Sequence, residues 1–98
     1  MQRTLGAYLY ILECRNGAYY VGTTRGSLET RVSQHNEGTF GGYTAGLRPV
    51  KLVFAEEFDR ITDAIAAERQ IKNWNRAKKE ALIRRDFTKL KELAKGRT

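Results

Sequence analysis

Residues 8–24 read YLYILECRNGAYYVGTT, two runs of aromatic, β-branched and apolar residues broken by Arg15-Asn16-Gly17. Such runs around an Asn-Gly pair predict a β-hairpin with strands over 7–14 and 18–24. The length of the connection decides which side chains share a face. A three-residue loop with Gly17 in the left-handed region sets Cys14 opposite Ala18, Leu12 opposite Tyr20 and Tyr10 opposite Gly22. Tyr10 and Tyr20 then lie on one face. A two-residue loop sends them to opposite faces. The three-residue loop is the expectation, and it raises the question of whether the tyrosine pair is packing or chemistry.

Working outward, Gly26-Ser27 ends the hairpin and offers an N-cap for a helix from about Leu28 to near Gly38. Residues 38–49 hold four of the nine glycines and the only proline, and read as a loop. VKLVFAEE, residues 50–57, reads as a third strand. A helix follows from about 62 to 75, then a basic helical tail over 77–84 and 87–95 with Asp86 as a cap between. There is no internal repeat and no low-complexity tract.

The 98 residues suit one domain with a modest core. Eighteen Lys and Arg against eleven Asp and Glu leave +7, a field that attracts polyanions, with phosphate-bearing nucleic acid the first candidate. Cys14 is the single cysteine and His35 the single histidine, which rules out an intrachain disulfide or a multi-histidine metal cage. No stretch approaches the roughly 20 apolar residues of a membrane helix, and the first residues lack a signal-peptide core. The expectation is a cytoplasmic protein with no membrane partner.

Polar residues stand where apolar ones belong. In the 62–75 helix Ile61, Ala64, Ile65 and Ile71 mark a buried stripe, and Glu68 falls within it. Lys72 and Asn75 continue the same side. A carboxylate there is costly unless an arginine, a lysine or a metal ion meets it. In the first helix Arg31 and His35, four apart, flank Val32 on the inner side marked by Leu28 and Val32. Each residue taken singly is more simply a structural ion pair or a satisfied core group. Their coincidence suggests one shared polar site.

Taken together these residues resemble the GIY-YIG nuclease domain. Tyr8-Leu9-Tyr10 and Tyr20-Val21-Gly22 correspond to its two tripeptides, Arg31 and His35 to its Arg-x-x-x-His helix, with Asn36 beside it, and AIAAERQIKNW to the helix carrying its acidic residue, here Glu68. The match covers about 7–84. Tyr8 replaces the leading glycine, Leu9 and Val21 the central isoleucines, and Thr23-Thr24 stand where some members place a lysine. A family asparagine corresponds to Asn73 or Asn75, with Asn75 preferred for sharing the Glu68 side. The resemblance implies an α/β (α+β) fold, a small three-stranded antiparallel sheet flanked by helices, with a basic C-terminal helix or tail over 85–98 of a single 1–98 domain.

It also implies a metal-dependent endonuclease hydrolysing DNA phosphodiester bonds, with Tyr10, Tyr20, Arg31, His35 and Glu68 catalytic. Glu68 would hold one divalent cation, Mg²⁺ or Mn²⁺, because a two-metal site wants several converging carboxylates. Arg31 would clamp a phosphate through its planar fork. Either tyrosine is a candidate base for the attacking water. Basic residues Arg48, Lys51, Lys72, Arg76 and Lys79, with Thr24, Asn36 and Asn75, would hold the polymer through its phosphates. Tyr43 would stack on an unpaired base, while Trp74 is assigned to core packing. The expected partner is DNA, single-stranded or structured, with RNA also open and the protein a monomer or weak homodimer. The other reading is a non-catalytic nucleic-acid-binding module of the same fold.

Overall fold

A computed structural model describes residues 6–38 and 42–96, with backbone alone at 42, 43, 95 and 96. Strands β1 (Ala7–Glu13) and β2 (Tyr19–Thr24) pair antiparallel in the register of the three-residue loop: Tyr10 opposes Gly22 and Leu12 opposes Tyr20. Gly17 sits at φ 88°, a conformation open to glycine without a Cβ penalty. The Cys14 N–H donates to the Ala18 carbonyl at 2.8 Å, and the Asn16 side chain accepts from the Ala18 N–H at 3.0 Å. These bonds close the turn and fix which face each tyrosine takes.

Strand β3 (Lys51–Phe58) joins the other side of β1, also antiparallel, giving the order β2-β1-β3. A bulge between Ile11 and Leu12 leaves Val53 without a direct opposite on β1. β1 is therefore central, which is why its sequence runs apolar on both faces. Leu9, Ile11 and Leu12 are at most 1% exposed. Each such side chain stabilises the fold by about 1.5–3 kcal/mol.

The two faces divide the helices. On one, Leu9, Ile11, Val21 and Phe54 meet Ile71 of α3 (Ile61–Lys72) and Leu82 of α4 (Arg76–Ile83). Trp74 and Leu90, the latter from α5 (Phe87–Gly96), pack at the rim, so the tryptophan serves the core as expected. On the other, Tyr10, Leu12, Cys14 and Val50 meet Leu28 and Val32 of α1 (Leu28–Glu37). Ser27 caps α1, accepting from the Thr30 N–H at 3.1 Å. Asp86 caps α5 by accepting from the Lys89 N–H at 3.1 Å.

Two expectations are corrected. The glycine-rich stretch is not loop throughout, because a short helix α2 (Gly42–Ala45) forms within it. The helix expected over 62–75 stops at Lys72. Asn75 takes an extended conformation, and its side-chain oxygen accepts from the Lys78 N–H at 2.9 Å, opening α4 instead. The end of the helix at Lys72 cancels the argument that set Asn75 on the Glu68 side. Among the described residues no helix is long and apolar enough to cross a membrane.

Candidate functional site

Four of the five expected residues gather on the α1 face of the sheet. Tyr10 rises from the central strand and Tyr20 from β2, their ring centroids 6.4 Å apart. His35, one turn after Arg31 on α1, stands 5.9 Å from the Tyr10 ring and 5.1 Å from the Tyr20 ring. The Tyr10 hydroxyl and His35 Nε2 are 3.0 Å apart, and His35 Nδ1 lies 2.9 Å from the Thr44 hydroxyl. Tyr10, His35 and Thr44 are all at most 3% exposed, whereas Arg31 and Tyr20 are half-buried. The cluster thus has a sealed interior and two members at its mouth.

The hydrogens follow from donor and acceptor capacity. Arg31 hydrogen-bonds Tyr10 and can only donate, so the phenolic oxygen accepts from it. In the tautomer whose Nε2 accepts the phenolic hydrogen, the imidazole proton sits on Nδ1 and donates to Thr44; the other tautomer reverses both bonds. Guanidinium, phenol, imidazole and hydroxyl form one polarised chain, each member orienting the next.

Charges respond to that burial. The Tyr10 phenol is pushed up to about 12, chiefly by desolvation and then by Tyr20, against the opposing charge and hydrogen bond of Arg31. His35 is pushed down from 6.5 by desolvation and then by the Arg31 charge. Both groups are neutral in the fold near neutral pH. A lowered histidine contributes stability that is whole above its unfolded value of about 6.5 and fades as pH falls below it. A raised tyrosine contributes stability that is whole below about 10 and fades as pH rises towards its folded value. Urea unfolding should therefore lose midpoint concentration between pH 7 and 5, and His35→Gln should flatten that acid limb. An identical acid limb in the variant would contradict the assignment.

Glu68 arrives differently. Thr23 pairs with Leu9, so it points to the α3 face, and its hydroxyl donates to Glu68 Oε1 at 3.3 Å. The carboxylate thus reaches the edge strand β2 from the α3 side. Its charge still raises Tyr10, as the smallest of the influences on that phenol. Lys72 Nζ is 2.8 Å from Glu68 Oε2, and the pair resolves what a carboxylate does on a buried stripe. Among the described residues no three His, Cys, Asp or Glu side chains converge for a metal. Glu68 would offer a divalent ion a single carboxylate, leaving the rest of its shell to waters and a phosphate.

The remaining expected contacts spread out. Asn36 spends its amide on Val50, accepting from its N–H at 2.7 Å and donating to its carbonyl at 3.2 Å, so it ties α1 to the start of β3. Arg48 donates to the Ala45 carbonyl at 2.8 Å and the Asn36 carbonyl at 3.2 Å. Arg48, Asn36 and Arg15 line a cavity of about 520 Å³ away from the tyrosine cluster. Thr24 is buried, with its hydroxyl accepting from the Gly26 N–H. Lys51 lies 4.0 Å from Glu13 at the hairpin end. Arg76 donates to Glu80 and to the Gly17 carbonyl and covers the Tyr19 ring at 4.3 Å. Lys79 is half-buried on α4, and the Tyr43 side chain lies outside the described residues.

Thr44 escaped the sequence reading, and Gly22 was read only as the residue opposite Tyr10 and the end of the second tripeptide. Nothing in the glycine-rich stretch distinguishes Thr44 as the partner of His35. Gly22 had a signal, because the hairpin register sets it directly against Tyr10. A Cβ there would come within 2.6 Å of the Tyr10 hydroxyl and 3.1 Å of the Tyr20 ring. Only glycine lets the two rings share the face.

Comparison with known proteins bears on the chain as a whole. The family described as the GIY-YIG catalytic domain matches residues 6–81. A UPF0213 protein of Streptococcus pneumoniae is 40% identical over 77 residues, covering 79% of this chain and 77% of the relative. One from Halobacterium salinarum is 43% identical over 76 residues, covering 78% of this chain and 97% of its own. Two solution NMR structures are similar. The UPF0213 protein of Bacillus halodurans has a TM-score of 0.51 at 36% identity, covering 79% of this chain and 81% of that one. A protein of E. faecalis has a TM-score of 0.58 at 31% identity, with 90% and 93% covered.

Proposed function

The chain belongs to the GIY-YIG family, in its UPF0213 branch, and on that premise we propose that it holds the phosphodiester backbone of nucleic acid at the Arg31–Tyr20 mouth of the cluster. The observation that carries this reading is the buried Tyr10–His35 bond with Arg31 on the same phenol. A core face that apolar packing alone would fill is given over to a chain that orients one guanidinium. The net charge of +7 supplies the long-range attraction.

Hydrolysis of the held linkage is the finer part of the proposal. Tyr10 and His35 are too buried to meet a substrate, so they act as positioning residues. Arg31 would neutralise the phosphoryl oxygens, and the half-exposed Tyr20 would orient the attacking water or take its proton. A divalent cation held by Glu68 would polarise a phosphoryl oxygen and lower the pKa of a bound water. DNA, single-stranded or structured, is the proposed substrate, with RNA as a comparison, acted on in the cytoplasm by a monomer or weak homodimer. Binding without cleavage is the second reading. The Glu68–Lys72 ion pair favours it, since it engages the carboxylate that a metal needs.

The test incubates wild-type and Arg31→Ala protein with labelled single-stranded, duplex and branched DNA and with RNA, in Mn²⁺ or EDTA. Wild type should give products only with Mn²⁺. Arg31→Ala should weaken binding by about tenfold or more, the scale of losing hydrogen bonds to a charged group. Binding without products on every substrate selects the second reading. Affinity that ignores Arg31→Ala ends both.

A further inference from the structure

We infer that Lys72 is a placeholder cation, its ammonium holding the Glu68 carboxylate where a divalent ion would bind and leaving when the ion arrives. The inference rests on the metal reading of Glu68 given above. Its basis is the disposition of three groups. Lys72 Nζ lies 2.8 Å from Oε2 while the Thr23 hydroxyl holds Oε1, so the hydroxyl fixes one oxygen and the ammonium covers the other. The Glu68 side chain is 17% exposed, too enclosed to stand as a bare charge at no cost, whereas Lys72 is 52% exposed.

That asymmetry makes the lysine the exchangeable partner. It sits one turn along the same helix, so withdrawal needs side-chain rotation and no movement of α3. An ammonium on a flexible stem is a point charge. A guanidinium would grip both carboxylate oxygens and resist replacement.

The experiment needs no nucleic acid. Free Mn²⁺ is followed by electron paramagnetic resonance during titration of wild type, Lys72→Met, Glu68→Gln and Lys89→Met. Lys72→Met should bind Mn²⁺ about three- to tenfold more tightly than wild type, since a competing ion pair and a repelling charge are removed together. Lys89→Met, which changes net charge equally on the exposed side of α5, should match wild type, and Glu68→Gln should bind most weakly. If Lys72→Met binds no better than wild type or than Lys89→Met while Glu68→Gln still loses binding, the placeholder role falls and the metal reading stands. If none of the four proteins takes up Mn²⁺, both fall.

Discussion

Glu68→Gln should cut metal-stimulated cleavage by on the order of 10³-fold, the scale of losing a principal source of transition-state charge stabilisation. Backbone affinity measured in EDTA should stay within about twofold. The substitution keeps size and a hydrogen-bond acceptor for Thr23 while removing the anion. The Lys72 pair it breaks is partly exposed, so the expected stability change is no more than about 1 kcal/mol. Single-turnover rates with Mn²⁺, set beside fluorescence anisotropy in EDTA, separate chemistry from grip. Undiminished cleavage by a Glu68→Gln preparation free of contaminating nuclease would refute the carboxylate's role.

Gly22→Ala should lower stability by about 1–3 kcal/mol, the usual range for forcing an extra methyl into a packed site. For a domain of this size that is a fall in Tm on the order of 10 °C. The new Cβ would start 2.6 Å from the Tyr10 hydroxyl and 2.7 Å from its Cζ, so the phenol must shift, which disturbs its bond with His35. Nucleic-acid binding should weaken with it, because Arg31 loses its oriented acceptor. Tyr10→Phe removes the atom nearest the clash. A cycle over Gly22→Ala, Tyr10→Phe and the double variant should therefore show coupling, with the double variant more stable than additivity allows. Additive losses, or a Gly22→Ala protein with wild-type Tm, would show that the strand pair tolerates a side chain there.

Much of this was legible in the residues because local chemistry and tertiary need agree. Asn16-Gly17 favours the observed turn, and alternation along 8–24 then fixes the faces of Tyr10, Gly22 and Tyr20. Ser27 and Asp86 read as caps because a short side-chain oxygen before a helical run has one obvious use. Asn75 carries the same signal. It was masked by a helical pattern that continued past Lys72, and the cap won over the periodicity. The site was harder for a different reason. Spacing along α1 puts Arg31 and His35 together, but only the packing of α1 against β1 brings them to Tyr10. Nor does spacing reveal that Glu68 reaches the edge strand from the α3 side, since that depends on which side of the sheet α3 crosses. Thr44 lies where glycines leave no periodicity to read.

The most direct measurement is an NMR titration of wild-type protein with a short oligonucleotide in EDTA, following the Arg31 Nε–H and the His35 ring nitrogens. Seating a phosphate at the mouth of the cluster should shift the Arg31 signal most, with the His35 signals moving along the same saturation curve. Saturable shifts confined to the lysines and arginines of α4 and α5, with Arg31 and His35 unmoved, would contradict the account.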